Sequence, residues 1–162
     1  MKIALPTLIA AIVVAGFAST ASTVAMEGPP HVLLKPQDIK WSTAPDVLPP
    51  GAEAALLWGD MSKKDATFVL RLKFPPGYSV GAHTHPVPEI VTVISGTFSK
   101  GMGDTVDPSK YVDYPRGSLI AMSPNTPHFV TFKEETVIQI TTTGPWDLVY
   151  INPKDDPRKK TQ

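Results

Sequence analysis

The sequence predicts an all-β fold, a small barrel preceded by an extended N-terminal arm. The chain of 162 residues contains 18 prolines and 11 glycines, a density of turn formers that helical bundles tolerate poorly and that domains of many short strands require. Short apolar or alternating runs recur at the spacing of roughly 8–12 residues that is typical of sandwiches and barrels. Beyond the N-terminal segment, no stretch of ten residues shows a convincing helical period.

Composition excludes several functional classes. Lys and Arg together number 15, as do Asp and Glu, so no net charge attracts nucleic acid or anionic lipid. The chain has no cysteine, which excludes thiol nucleophiles, cysteine-based metal sites and disulfides. Hydrophobic residues make up 42% and charged residues 19%, as expected for one globular domain.

The first 25 residues are predicted to be a cleaved secretory signal. Lys2 precedes the mostly apolar run Ile3–Phe17, and small residues follow, which is the pattern of such signals. Cleavage is expected after Ala21 or Ala25. The alternative is an uncleaved anchor, but a run of 15 residues is short against the roughly 18–20 needed to span a bilayer. We therefore expect a periplasmic or secreted protein with no stable membrane anchor, exported without a twin-arginine signal.

Three regions are predicted after the signal. Residues 26–53 form a proline-rich extended arm, residues 54–150 a barrel, and residues 151–162 a charged, solvated tail. The part of the arm from Pro29 to Pro50 either reaches a neighbouring copy, giving a homodimer, or covers an edge strand of its own barrel.

The clearest predicted strand is Thr67–Phe74. Phe68, Leu70, Leu72 and Phe74 alternate with residues of the opposite face, as in a strand with one buried side. Further strands are predicted at Ala54–Trp58, Tyr78–His83, Glu89–Ser95, Thr97–Met102, Ser118–Met122, His128–Phe132, Thr136–Thr143 and Trp146–Tyr150.

Three histidines and one glutamate are the candidate functional residues. His83 and His85 are two positions apart, so on an extended strand they point to one face. Glu89 follows at the head of the next predicted strand, and His128 opens a later one. Imidazoles and a carboxylate on facing strands can chelate a divalent metal. The remaining histidine, His31, is interpreted as a surface or core residue without a functional role.

This pattern resembles the first sequence motif of the cupin superfamily. That motif is Gly, five residues, His-x-His, three or four residues, Glu, six residues and Gly, and it matches here at Gly77, His83, His85, Glu89 and Gly96. The composition of the chain gives roughly 10⁻⁵ chance matches, so the motif is specific.

The second cupin motif matches less fully. Gly117 lies eleven residues before His128, as the family pattern requires. The expected proline is displaced by one place to Pro124, and Asn125 stands where glycine is usual, although asparagine also tolerates left-handed backbone. Phe132 replaces an asparagine that is sometimes present. The departures affect the turn rather than the histidine.

The resemblance covers about residues 54–150 and implies a double-stranded β-helix, or jelly-roll, of the RmlC-like type. It implies the metal ligands His83, His85, Glu89 and His128. The segment Gly101–Asp104 resembles small secreted single-domain cupins and, more weakly, the sensor half of anti-sigma factors.

Two functions remain open from the sequence. The resemblance implies a metal-dependent enzyme, oxygenase-like, that acts on a small oxygen-rich molecule, with Glu89 as candidate catalytic base. The alternative is a non-catalytic metal or ligand binder, or a sensor, of the cell envelope. Four further polar residues are near in sequence, but no motif places them in the site: Tyr78, Asp104, Tyr111 and Asp113.

The expected cofactor is one divalent transition metal. Neutral imidazoles and one carboxylate are ligands of intermediate softness. A site made of them binds Cu and Zn more tightly than Fe and Mn. A chain exported unfolded would take its metal outside the cytoplasm, so Zn or Cu(II) is expected in the native protein, with Fe, Mn and Ni as other candidates.

Overall fold

Antiparallel strands make up most of the computed structural model, which describes residues 31–159. The predicted signal lies outside the described residues, and export therefore stays a prediction. The strands are β1 Ser42–Thr43, β2 Glu53–Gly59, β3 Thr67–Phe74, β4 Ser79–Thr84, β5 Glu89–Ser95, β6 Thr97–Met102, β7 Val112–Pro115, β8 Leu119–Met122, β9 His128–Thr131, β10 Thr136–Thr143 and β11 Val149–Tyr150.

The strands form two facing sheets with the apolar core between them. One sheet has the order β1-β2-β3-β10-β5-β8, and the other has the order β11-β4-β9-β6-β7. The predicted alternation of β3 is confirmed, because its four predicted inward side chains are at most 2% exposed. Phe132 lies between the sheets, stacking on Phe74 with ring centroids 4.1 Å apart and contacting Phe98 at 5.6 Å. The predicted all-β barrel is confirmed.

Two turn positions explain why the motifs contain the residues they do. Gly96 has φ +71°, and a Cβ atom there would lie 2.4 Å from the carbonyl oxygen of Glu135. Only glycine fits such an approach. Asn125 has φ +58°, the left-handed conformation expected for the position where glycine is usual. Its N–H donates to the carbonyl of His85 at 2.8 Å, which ties the second motif to the first.

The arm packs against its own barrel. β1 pairs with β2 at the sheet edge, and Val47 and Leu48 are buried. The hydroxyl of Tyr150 donates to the carbonyl of Val47 at 2.8 Å, and that of Tyr78 donates to the carbonyl of Pro49. The arm therefore covers an edge strand of its own barrel, and the homodimer stays a prediction.

Two of the predicted segments have a different structure from the one expected. The predicted strand Trp146–Tyr150 is reduced to β11, because the N–H of Trp146 donates to Met61 and that of Leu148 to the side chain of Asp147. The tail is exposed near Asn152, but Asp156 is buried and holds Arg158.

Helix is confined to short 3₁₀ turns among residues 31–159, at Pro36–Asp38, Pro108–Lys110 and Pro157–Lys159. Within this part of the chain, no helix is long and apolar enough to cross a membrane.

Candidate metal centre

Three of the predicted ligands meet inside the barrel. His83 on β4 lies directly opposite His128 on β9 in the strand register, and His85 follows β4 by one residue. One ring nitrogen from each histidine lies within 4.8 Å of the other two. The cluster forms because the two strands are neighbours in the five-stranded sheet.

Backbone carbonyls fix the orientation of all three rings. Nδ1 of His83 lies 2.7 Å from the carbonyl of Gly81, and Nδ1 of His128 lies 2.9 Å from that of Thr126. Nδ1 of His85 lies 2.9 Å from the carbonyl of Asp147. A carbonyl only accepts, so each Nδ1 carries the proton. Each Nε2 is then left with the lone pair that a metal requires.

His83 and His128 are neutral at ordinary pH. Burial is the main cause that lowers the pKa of His83 well below its usual value, and the neighbouring His128 and His85 add to it. Burial also lowers the pKa of His128 to about 3. Neutral imidazole is the form that binds metals.

Glu89 lies beside the histidine cluster, at the start of β5 and 4% exposed. Its Oε1 accepts a hydrogen bond from Nε1 of Trp146 at 3.3 Å, and its Oε2 lies 3.5 Å from Nε2 of His85. Burial raises the pKa of Glu89, while His85 and Trp146 oppose that rise. Nε2 of His85 and Oε2 of Glu89 are both acceptors, so a proton or a metal ion between them would satisfy both.

Sequence reasoning missed Trp146 and the segment around it. The indole ring lies nearly parallel to the ring of His85. The next residue, Asp147, holds His85 through its carbonyl, and its carboxylate accepts from Arg158 at 2.9 Å. Nothing in the local sequence distinguishes this tryptophan from core filler, because its partners come from distant strands.

Lys100 is the second residue missed, and here a signal was available. The predicted strand Thr97–Met102 alternates, so a residue two places after buried Phe98 also faces inward. Lys100 is 4% exposed, and burial lowers its pKa to about 8, although Glu89 opposes this effect.

A cavity of about 30 Å³ lies at the centre. Its lining combines the four predicted ligands with Trp146 and apolar side chains of both sheets and the arm: Leu48, Leu72, Phe74, Val80, Phe98, Val130, Phe132, Ile138, Ile140 and Leu148. The apolar lining excludes bulk water and leaves the imidazoles and the carboxylate as its polar groups.

The residues that no motif placed in the site are engaged elsewhere. Asp113 accepts from Ser99 and Lys133, and Tyr111 packs edge-on against Phe129. The hydroxyl of Tyr78 donates a hydrogen bond to the arm, at the carbonyl of Pro49, while Asp104 and His31 are exposed. None of these five residues lines the central cavity.

Comparison with known proteins identifies the family to which the sequence is similar. The sequence profile of the ChrR cupin-like domain matches residues 29–147. No curated protein matches the chain in sequence.

Solved structures share the fold at low sequence identity. The polyketide cyclase RemF from Streptomyces resistomycificus has a TM-score of 0.64 at 14% identity, over 82% of this chain and 94% of that one. An acetylacetone dioxygenase from Acinetobacter johnsonii has a TM-score of 0.58 at 18% identity, over 78% and 80%. An RmlC-like cupin from Shewanella frigidimarina has a TM-score of 0.54 at 13% identity, over 70% and 91%. These likenesses confirm the double-stranded β-helix, and the profile match over most of the chain makes this protein a member of the ChrR cupin-like domain family.

Proposed function

We propose that this chain is an exported cupin that binds one divalent transition metal and, at that metal, a small oxygen-rich organic molecule. His83, His85 and His128 are the imidazole ligands, and Glu89 is the carboxylate ligand. The observation that carries the proposal is the convergence of three histidines, whose ring nitrogens lie within 4.8 Å of one another, with Oε2 of Glu89 3.5 Å from Nε2 of His85. A shared cation is the simplest way to stabilise that contact together with the two other imidazoles.

The residues around the ligands support this role. Three backbone carbonyls hold the imidazoles in one tautomer, and the indole of Trp146 orients the carboxylate of Glu89. A bound metal would supply Lewis-acid polarisation of the ligand, and Fe or Cu would also supply redox chemistry. Glu89 is the candidate group to accept a proton from the bound molecule, because its carboxylate lies among the proposed ligands.

The enzymatic form of the proposal is an oxygenase-like activity. Structural neighbours include an acetylacetone dioxygenase and a polyketide cyclase, so the shared fold supports chemistry on oxygen-rich carbon compounds. β-Diketones are therefore the first compounds to test, followed by catechols, flavonols, keto-acids and sugars.

A second candidate function is a non-catalytic metal or small-ligand binder or sensor. The observation that favours it is the cavity of about 30 Å³, since pockets that hold organic substrates are on the order of 300–1,000 Å³. Such a cavity accommodates an ion with a few small ligand atoms.

One experiment separates these outcomes. Apo-protein is loaded in turn with Zn, Cu, Fe, Mn, Ni and Co, its metal content is measured, and oxygen uptake is recorded against the compound panel. One equivalent of metal with uptake supports the enzyme, and one equivalent with ligand-induced spectral change but no turnover supports the binder. Failure to retain any of the six metals would reject both.

A further inference from the structure

A buried lysine lies on the inner face of the five-stranded sheet, beside the predicted ligands. Across the β6–β9 pairing, Lys100 is directly opposite Val130, and Met102 is directly opposite His128. Opposed residues of an antiparallel pair project to the same face. Val130 and His128 line the central cavity, as does Phe98 two residues before Lys100. The lysine is therefore flanked on both strands by cavity residues.

The ammonium group lies against the side chain of Met102, the last residue of β6. Nζ of Lys100 lies 2.8 Å from Sδ of Met102, and Met102 is 50% exposed. A thioether is a weak acceptor. Among residues 31–159, no ion pair within 4.0 Å includes Lys100. An ammonium group has three N–H donors, and a thioether is a weak acceptor for one of them. The group can therefore still donate a hydrogen bond to a stronger acceptor.

The charges of the site point to the kind of acceptor. As metal ligands the three imidazoles would be neutral, and a metal-bound Glu89 carboxylate would offset the charge of Lys100. Binding of a dication would leave the enclosed site with two excess positive charges. A small anion bound at the site would reduce that excess. The ammonium of Lys100 is a cationic donor that interacts electrostatically with His83, Glu89 and His128.

We infer that Lys100 is an anion-binding residue of the proposed metal site, donating to a charged oxygen of a small carboxylate or enolate bound there. This inference rests on the proposed function, because it requires the metal. The competing explanation is that Lys100 only offsets the charge of Glu89, and it predicts no selectivity for anions.

The test compares anion binding in Co²⁺-loaded protein and in its Lys100→Met variant, followed by the visible spectrum of the metal. Formate is the anionic probe and imidazole is the neutral probe. We expect the dissociation constant for formate to rise about tenfold or more, as for loss of a charge-assisted hydrogen bond, and that for imidazole to stay within about twofold. Affinity for Co²⁺ should stay the same or increase, because a neighbouring cation has been removed.

Controls keep the outcomes distinct. Lys110→Met removes an exposed lysine that pairs with Asp107, and it should change neither probe. Lys100→Gln provides a second variant if the methionine impairs folding, and it should show the same selective loss. Equal affinity for formate in both proteins, or equal weakening of both probes, would overturn the inference while leaving the metal site intact. Failure of the unchanged protein to bind Co²⁺ would overturn the proposed function and this inference together.

Discussion

The indole ring of Trp146 stacks on the imidazole of His85, with ring centroids 5.6 Å apart and planes inclined by 15°. The same indole donates its N–H to Glu89. One side chain from a loop thus fixes two predicted ligands that come from different sheets, since His85 follows β4 and Glu89 begins β5. Its contribution to the site is therefore one of orientation.

Replacing Trp146 with Phe keeps a stacked ring and removes the hydrogen-bond donor. We expect metal affinity to fall by about tenfold, within the range typical of residues that orient ligands. Competitive titration with a chromophoric chelator measures the change. The matched control is Trp58→Phe, a partly exposed residue on β2, and an equal fall in that variant would contradict the role of Trp146.

Alanine at His83, His85 or His128 should lower metal content strongly, because each substitution removes one of about four bonds in a chelate. Glu89→Gln should retain more metal, since an amide oxygen still coordinates, and should impair turnover if the carboxylate transfers a proton. Elemental analysis after dialysis is the measurement. His31→Ala is the control at an exposed residue, and the ligand assignment would be wrong if that variant lost its metal while His128→Ala kept it.

The Asp156–Arg158 ion pair in the tail should make the stability of the protein depend on pH in the acid range. The Arg158 guanidinium lowers the pKa of Asp156 below its usual 3.8. A carboxyl whose pKa is lowered on folding stabilises the folded state above its unfolded pKa and loses that stabilisation as pH falls through the folded value. Arg158→Met should therefore lower the melting temperature at pH 7 and reduce the further decrease below about pH 4. Arg116→Met, at an exposed residue, is the control, and an unchanged acid profile in Arg158→Met would contradict the prediction.

The predicted signal has a direct test. Protein recovered from the cell envelope should begin near Ser22 or Met26, because cleavage is expected after Ala21 or Ala25. N-terminal sequencing or intact mass spectrometry shows this. Soluble protein that retains Met1, or protein found only in the cytoplasm, would argue against export.

The native metal should follow intrinsic affinity if the chain folds after export. Zn or Cu(II) is expected, because the neutral imidazoles and the carboxylate bind these ions more tightly than Mn or Fe. Elemental analysis should use natively exported protein, since overexpressed protein reflects the growth medium. A stoichiometric content of Mn or Fe would overturn either the export route or the affinity argument.

The sequence predicted those parts of the fold that depend on local pattern. The alternation of β3 fixed its buried face, and the His-x-His spacing placed His83 and His85 near one another. β7, Val112–Pro115, was missed because its residues are mostly exposed and give little periodicity. In the described part of the chain it pairs with the first four residues of β6, Thr97–Lys100.

What the sequence did not predict depends on contacts between distant segments. Trp146 and Glu89 are 57 residues apart, and their hydrogen bond has no local signature. Lys100 could have been identified from the period of its strand, but a lysine is expected to be exposed. Its burial becomes evident only when β6 is placed beside β9.

The carbonyl of Asp147 that holds His85 lies 62 residues further along the chain. That contact exists only after the barrel has closed, and both of its partners belong to the protein chain. The ligand geometry is thus preorganised, unlike that of a domain that needs its metal to fold. A bound ion could then dissociate and be replaced without unfolding of the barrel. The metal found in the protein would therefore depend on the ions available where the protein last equilibrated, and not on those present where it folded.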